Sequence, residues 1–222
     1  MDMPRNALAG LLGGLALALG HAAAGAALEA VVKDQHGKPL ADAVVLAVPV
    51  DPKAAAHARP AADAVDQVDK QFVPYVKVVL VGSSVRFPNS DKIRHQVYSF
   101  SPAKRFELPL YAGTEAPPVL FDTTGIVVLG CNIHDWMVGY VYVAETPFFA
   151  TTGRAGTASI GDLPPGDYTV RLWHPGMAQP EAATAKHVVV GADAPAPLEW
   201  QLEIKPTYRV PRVSGSGSPG YP

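Results

Sequence analysis

Cys131-Asn132-Ile133-His134-Asp135-Trp136-Met137 is the stretch on which the reading of the whole chain turns. It holds the only cysteine of the 222 residues. His134 follows three positions on and Met137 three beyond that. A thiolate, an imidazole and a thioether so closely spaced form a soft-ligand set that suits copper. With seven His in the chain and four Met, both partners would fall at those offsets by chance about once in 2,000 trials. The plain alternative, a buried thiol beside a core methionine and a surface histidine, is the weaker reading.

The sequence on either side of this stretch is rich in short Val-containing runs. Phe72 to Val81 reads as one long β run ending at Gly82, Val85-Arg86-Phe87 as a short strand, and His95 to Phe100 as another. Lys104 to Leu110 alternates, which puts Phe106, Leu108 and Leu110 on one face. Val119-Leu120-Phe121 and Ile126 to Leu129 lead into the Cys131 loop, and Gly139 to Ala144 leaves it. Strands at this spacing with no helical stretch between them indicate a β-sandwich.

Further out, residues 27–49 read as strand, turn, strand around His36-Gly37-Lys38-Pro39, with His36 a solvated turn residue. Residues 50–63 carry two prolines and no strand periodicity and read as a linker, with His57 exposed in it. After Thr146-Pro147 the style of residues 27–49 returns: two strands flank Leu163-Pro164-Pro165-Gly166, and Lys186 to Val190 and Leu198 to Ile204 are two more. Two strands are too few to fold alone. The economical expectation is one sandwich made of residues 27–60 and 147–204, with residues 64–146 inserted between its parts. The Ser-Gly and Pro-rich tail, 205–222, is expected to be disordered.

Composition narrows the function classes. A net charge of −2 gives no electrostatic case for nucleic acid. Only 17% of residues are charged, while Pro (22) and Gly (20) are plentiful, which fits a turn-rich all-β chain rather than a helical one. Residues 1–26 run from Arg5 through an apolar core to Ala22-Ala23-Ala24-Gly25-Ala26, the order of a secretory signal cleaved near Ala24–Ala26. A retained N-terminal anchor is the alternative. Export to the periplasm gives the lone cysteine a meaning, since it can make no internal disulfide and metal ligation would protect it from oxidation.

Residues 64–146 resemble the cupredoxins, the small blue copper proteins. Asn89 precedes His95 by six residues, as a loop Asn precedes the first copper histidine in many of them. Gly125, six before Cys131, is similar to the Gly opening the strand that delivers the cysteine. Cys131-x-x-His134-x-x-Met137 resembles the short copper loop of the amicyanin type. Two positions depart from the pattern: Asp135 stands where such loops carry Pro, and Gln96 follows His95 where Asn is common. The flanking parts, through Gly37-Lys38-Pro39-Leu40-Ala41-Asp42-Ala43-Val44-Val45 and Leu163 to Tyr168, resemble Ig-like sandwiches of the transthyretin or carboxypeptidase-regulatory kind. The whole arrangement also resembles exported proteins of the methylamine-utilisation or plastocyanin-like type.

This resemblance implies a Greek-key cupredoxin sandwich holding one type 1 copper ion, Cu+ or Cu2+. His95, Cys131 and His134 would be its planar ligands and Met137 the weak axial one. It implies that His134 is the ligand reaching the surface to pass the electron. Asn89 would brace the two ligand loops near the Cys131 backbone, or be an ordinary turn residue. Trp136 would shield the ion, present a docking surface, or simply pack. His174 could face a second metal but reads better as a strand-end residue, and His187 as a strand residue. No metalloprotease, nucleophile-elbow or phosphate-loop motif is present in the sequence. The expectation is a periplasmic electron carrier, not an enzyme. Its partners would be redox proteins, with a membrane-associated redox complex as one candidate and no small-molecule substrate. A copper chaperone or storage protein and a non-redox scaffold are the alternatives.

Overall fold

The computed structural model describes residues 26–55, 58–112, 116–191 and 193–206. The expected export signal lies outside them except for Ala26, and so do His57 and the tail from 207 onward. Among the described residues there are seventeen strands and two short 3-10 turns, so the chain is all-β.

One group of strands comes from the two ends of the chain. β1 (Ala26–Asp34) pairs antiparallel with β14 (Thr157–Leu163) and parallel with β17 (Leu198–Leu202). β2 (Val44–Pro49) lies between β13 (Phe149–Thr151) and β15 (Gly166–Trp173), and β15 also pairs with β16 (Lys186–Val190). Alternation along β1 turns Leu28, Ala30 and Val32 inward. They join Val45, Ala47, Tyr168, Leu172 and Trp200 in one core. The Tyr168 hydroxyl, on a fully buried ring, reaches the Pro164 carbonyl at 2.7 Å and closes the Pro-Pro-Gly turn.

A second group comes from the middle of the chain. β3 (Ala62–Ala64) pairs parallel with β7 (Ser83–Arg86), whose other neighbour is β10 (Val119–Phe121). β12 (Gly139–Ala144) sits between β11 (Gly125–Leu129) and β6 (Val76–Leu80). β4 (Asp66–Val68) with β5 (Gln71–Val73), and β8 (His95–Ser101) with β9 (Lys104–Tyr111), form hairpins. Their core contains Phe72, Phe87, Val97, Phe121, Leu129, Cys131, Met137 and Val141.

Strands β2, β6, β12 and β15 each contribute to two cores and join the two groups. Val141 and Val143 of β12 face the second core, while Tyr142 and Ala144 face Val44 and Leu46 of β2, with Val76, Val78 and Trp173, in a third cluster. Trp173 is packed by the rings of Tyr140 and Tyr142 at 5.6 and 5.7 Å. At the edge of this seam Arg171 donates to both Glu145 and Glu181, and Tyr142 donates to Glu181 at 2.8 Å.

The structure corrects several sequence expectations. The run Phe72–Val81 is two strands, β5 and β6, because Pro74 has no N–H for a ladder. Residues 50–63 are not wholly linker, since Pro52–Ala55 forms a 3-10 turn and β3 already belongs to a sheet. Lys205, expected in the disordered tail, donates its backbone N–H to the Gly176 carbonyl at 2.7 Å. Leu110 is 50% exposed and does not share the face of Leu108. His95 pairs with Tyr111 while Val97 pairs with Leu108, so β9 carries one extra residue there. This bulge, at Pro109-Leu110, reverses the alternation and turns Tyr111 inward opposite His95.

Candidate metal centre

Each half of the site sits at a strand end. β11 starts at Gly125, whose φ of +131° strongly favours glycine and whose Cβ would lie 3.2 Å from Ala103. It runs to Leu129, and Gly130 then pairs with Tyr98 of β8 through hydrogen bonds of 3.0 and 3.1 Å. Cys131 therefore emerges beside the start of β8, where His95 stands. The loop closes at once, as Met137 donates its N–H to the His134 carbonyl at 2.9 Å. Two tight turns in seven residues keep Cys131, His134 and Met137 on one side of the loop, and all three are buried.

His95 Nδ1 lies 3.9 Å from Cys131 Sγ, and the His95 and His134 rings are 5.1 Å apart. One ligand atom from each of His95, Cys131 and His134 lies within 4.8 Å of the others, so the group could hold one metal ion. Two residues 36 positions apart in sequence thus converge. Met137 is 1% exposed and packs in the same core as Cys131.

The electrostatics favour a thiolate. Burial resists ionisation of Cys131, but His95 and the backbone N–H groups of Gln96 and Ile133 outweigh it and hold the thiol below its ordinary value. Burial also works against a charged His95, yet Cys131 and Asp91 prevail and its pKa is raised. His134 goes the other way: burial, then the nearby His95 and Lys70, push it down and keep the ring neutral. Its Nδ1 is buried with no hydrogen-bond partner. A buried ring nitrogen left unpaired is costly, and a bound cation is a partner that would satisfy it. The residues present therefore fit a metal on the chemistry of the donors and on this orphaned atom.

Around the donors the structure adds residues that the sequence did not single out. His95 Nε2 lies within hydrogen-bonding distance of Asp91 Oδ2, at 2.7 Å. Gln67, fully buried, donates to the Tyr111 hydroxyl at 2.5 Å, and that hydroxyl donates to the Phe87 carbonyl at 2.5 Å. Burial is the main cause that pushes the Tyr111 phenol up to about 12. An acid four residues before a ligand His was the one visible signal for Asp91. Gln67 and Tyr111 gave none, because they meet only through the bulge in β9.

Asn89 does brace a loop, but not at the Cys131 backbone. Its Nδ2 donates to the carbonyls of Ile93 and Tyr111 at 2.9 and 2.8 Å, and its Oδ1 accepts the Asp91 N–H at 3.0 Å. It shapes the approach to His95 because a turn Asn can bond its own chain two residues on. Gln96, at the departure position, donates to Glu107 at 2.6 Å. The Trp136 ring lies 5.1 Å from that of His134, inclined at 56°. His134 is 7% exposed, whereas its neighbour Ile133 is 47% exposed. His174 is not near the other donors; its Nδ1 accepts the Gly176 N–H at 3.0 Å, a strand-end role. His187 lies in β16 and pairs with Asp167 at 3.3 Å, both well exposed.

No protein-family model matches the chain, and no curated protein sequence matches it. Its neighbours among solved structures are cupredoxins. The chain is similar to a Cu-containing nitrite reductase from Thermus scotoductus SA-01, at 28% identity over 44% of this chain and 27% of that one, with a TM-score of 0.37. It thus spans about a quarter of that enzyme's length. It is also similar to a purple cupredoxin from Nitrosopumilus maritimus, at 23% identity over 37% of this chain and 99% of that one, TM-score 0.33. An oxidised amicyanin variant matches at 20% identity over 46% of this chain and 99% of its own, TM-score 0.35. All of these likenesses cover less than half of the present chain.

Proposed function

We propose that this chain carries single electrons between redox proteins on one type 1 copper ion held by His95, Cys131, His134 and Met137. The observation that carries the reading is the convergence of two histidine nitrogens and a thiolate-prone sulfur in a buried pocket, with the His134 Nδ1 left unpaired. A bound copper ion supplies a one-electron couple, Cu+ to Cu2+, and His2Cys with a weak thioether is a set acceptable to both states. The rest falls to the protein. The Gln96 and Ile133 N–H groups direct their hydrogens at Cys131 and favour the thiolate. Trp136 packs beside His134, and Phe72, Phe87 and Leu129 share the buried core of Cys131, surroundings that would limit the access of water to the donors. Met137, buried in the same core as Cys131, would add an uncharged fourth donor.

No hydrolytic or phosphoryl-transfer motif accompanies the site, which supports a carrier rather than an enzyme. The order of residues 1–26 and the unpaired Cys131 support a periplasmic location. The shared core of residues 26–47 and 158–202 supports reading the ends of the chain as one sandwich with the copper-binding part set into it. The deciding experiment is to load the purified protein with Cu(II) and record its spectrum. An intense thiolate-to-copper band at roughly 600 nm is expected, and Cys131→Ser should remove it. A colourless Cu(II) complex, or a band that survives loss of Cys131, would overturn the proposal.

A further inference from the structure

Asp91 is held more firmly than an ordinary loop carboxylate. Its Oδ1 accepts the Asp69 N–H at 2.7 Å, its Oδ2 accepts the Lys70 N–H at 2.9 Å, and His95 Nε2 lies 2.7 Å from that same Oδ2. The two backbone donors are the corner of the β4–β5 hairpin. Both corner residues have positive φ, +52° for Asp69 and +58° for Lys70. Non-glycine residues take that conformation when the surroundings demand it, and a two-residue hairpin corner of this hand aims its N–H groups outward together. Here they aim at one carboxylate. The Asp91 side chain is 14% exposed and the His95 side chain 0% exposed, so water competes little for this contact.

The consequence for His95 follows from hydrogen-bond chemistry. An ionised carboxylate only accepts, so the proton of the ring must sit on Nε2. In the neutral ring that leaves the lone pair on Nδ1, the atom 3.9 Å from Cys131 Sγ. A carboxylate behind a ligand histidine also raises the basicity of the ligating nitrogen.

We propose that Asp91, locked by the Asp69-Lys70 corner, is a positioning residue that sets the tautomer and tilt of His95 so that Nδ1 faces the ion. The hairpin β4–β5, remote in sequence from every ligand, is then part of the machinery of the centre. This rests on His95 being a ligand in the proposed copper site. Asp91 touches the imidazole and not the ion.

The test compares wild type with Asp91→Asn in the full chain, by copper affinity, reduction potential and long-range proton–nitrogen NMR of the histidine rings. Wild type should show a slowly exchanging Nε2–H on His95 in both the metal-free and the Cu(I)-loaded protein. Asp91→Asn should weaken copper binding by about ten- to a hundredfold. It should also raise the potential, because a negative charge that favours Cu(II) is gone, while the visible band remains. Unchanged affinity and potential in a folded Asp91→Asn protein would overturn the proposal. So would a wild-type His95 ring carrying its proton on Nδ1 alone, a measurement that needs no variant and decides the matter if Asp91→Asn fails to fold. If wild type takes up no copper, the functional reading fails by itself, and the metal-free NMR signature still decides whether Asp91 sets the ring.

Discussion

Gly130, the residue before Cys131, is where a single methyl group should be felt most clearly. A Cβ there would lie 2.7 Å from Cζ, 2.8 Å from Oη and 3.0 Å from Cε2 of Tyr98. Something must move. Separating the strands would break the two Gly130–Tyr98 backbone hydrogen bonds, at about 1 kcal/mol each. Swinging the ring out costs less, because Tyr98 is only half-buried. The ring would forfeit its contact with Phe100, now at 5.2 Å, and an aromatic pair is worth about 0.5–1.5 kcal/mol. It would also give up its cover over Gly130, about another 1 kcal/mol of apolar burial. Replacing Gly by Ala in extended backbone returns about 0.5–1 kcal/mol. Gly130→Ala should therefore destabilise the metal-free protein by about 1–2 kcal/mol, or about 3–6 °C in Tm for a chain of this size. In a Tyr98→Ala background the same change should be neutral or slightly stabilising. The double-mutant cycle, read by urea denaturation, should give a coupling of about 2 kcal/mol. A coupling within a few tenths of zero would refute the claim that the Tyr98 ring occupies the space a side chain at 130 would need.

Met137→Leu should keep the copper and the visible band but raise the reduction potential, measured by redox titration; loss of copper binding would show that the thioether is more than a weak axial donor. Gly156→Ala should cost about 2–4 kcal/mol by urea denaturation, because its φ of +70° is strained for any side chain and the new Cβ would stand 2.5 Å from the Val32 carbonyl oxygen. Copper loading should raise Tm by several degrees, a shift that a strong chelator reverses and that Cys131→Ser lacks. An equal shift in Cys131→Ser would place the binding elsewhere.

The Cys131–Met137 loop was legible as a candidate metal-binding stretch because its chemistry is local: a cysteine, a histidine and a methionine within seven residues need no knowledge of the fold. Gly125 stood out only by its resemblance to the Gly that opens the cysteine-bearing strand of cupredoxins, and its φ of +131° at the head of β11 supplies a backbone reason for a glycine there. What escaped were features that depend on contacts between strands. Alternation through Lys104–Leu110 assigned Leu110 to the core, because nothing in the sequence announces the extra residue that puts Tyr111 there instead. The β4–β5 hairpin escaped because its corner is Asp69-Lys70 rather than a glycine-containing pair. Asp91 escaped with it, since its role appears only when that corner is folded against the His95 loop. Pro74 was a missed feature with a clear local signal, a residue that gives no ladder hydrogen bond inside an apparent strand.

The donors of this site are held in place by the protein itself, and that bears on why the proposed role is electron transfer rather than ion storage. His95 is fixed from behind by Asp91, the Gly130–Tyr98 pairing fixes the root of Cys131, and the 134–137 turn fixes His134 relative to Met137. Each restraint comes from a different element, and each is made of hydrogen bonds or packing that a change of charge on an ion would leave intact. A one-electron exchange is fast when few atoms have to shift with the charge. A storage site gains from the opposite property, ligands that open to release their cargo. Here release would mean leaving the His134 Nδ1 unpaired and exposing a buried thiolate in the core that also holds Leu129 and Val141. The same rigidity explains the bulge in β9. A regular strand would place Leu110 against His95, whereas the bulge places Tyr111 there, tied through Gln67 to the Phe87 and Pro88 carbonyls. That network backs the His95 side of the pocket with the Tyr111 hydroxyl and the Gln67 amide nitrogen, each tied to a backbone carbonyl, which would restrain the histidine if a bound ion changed state.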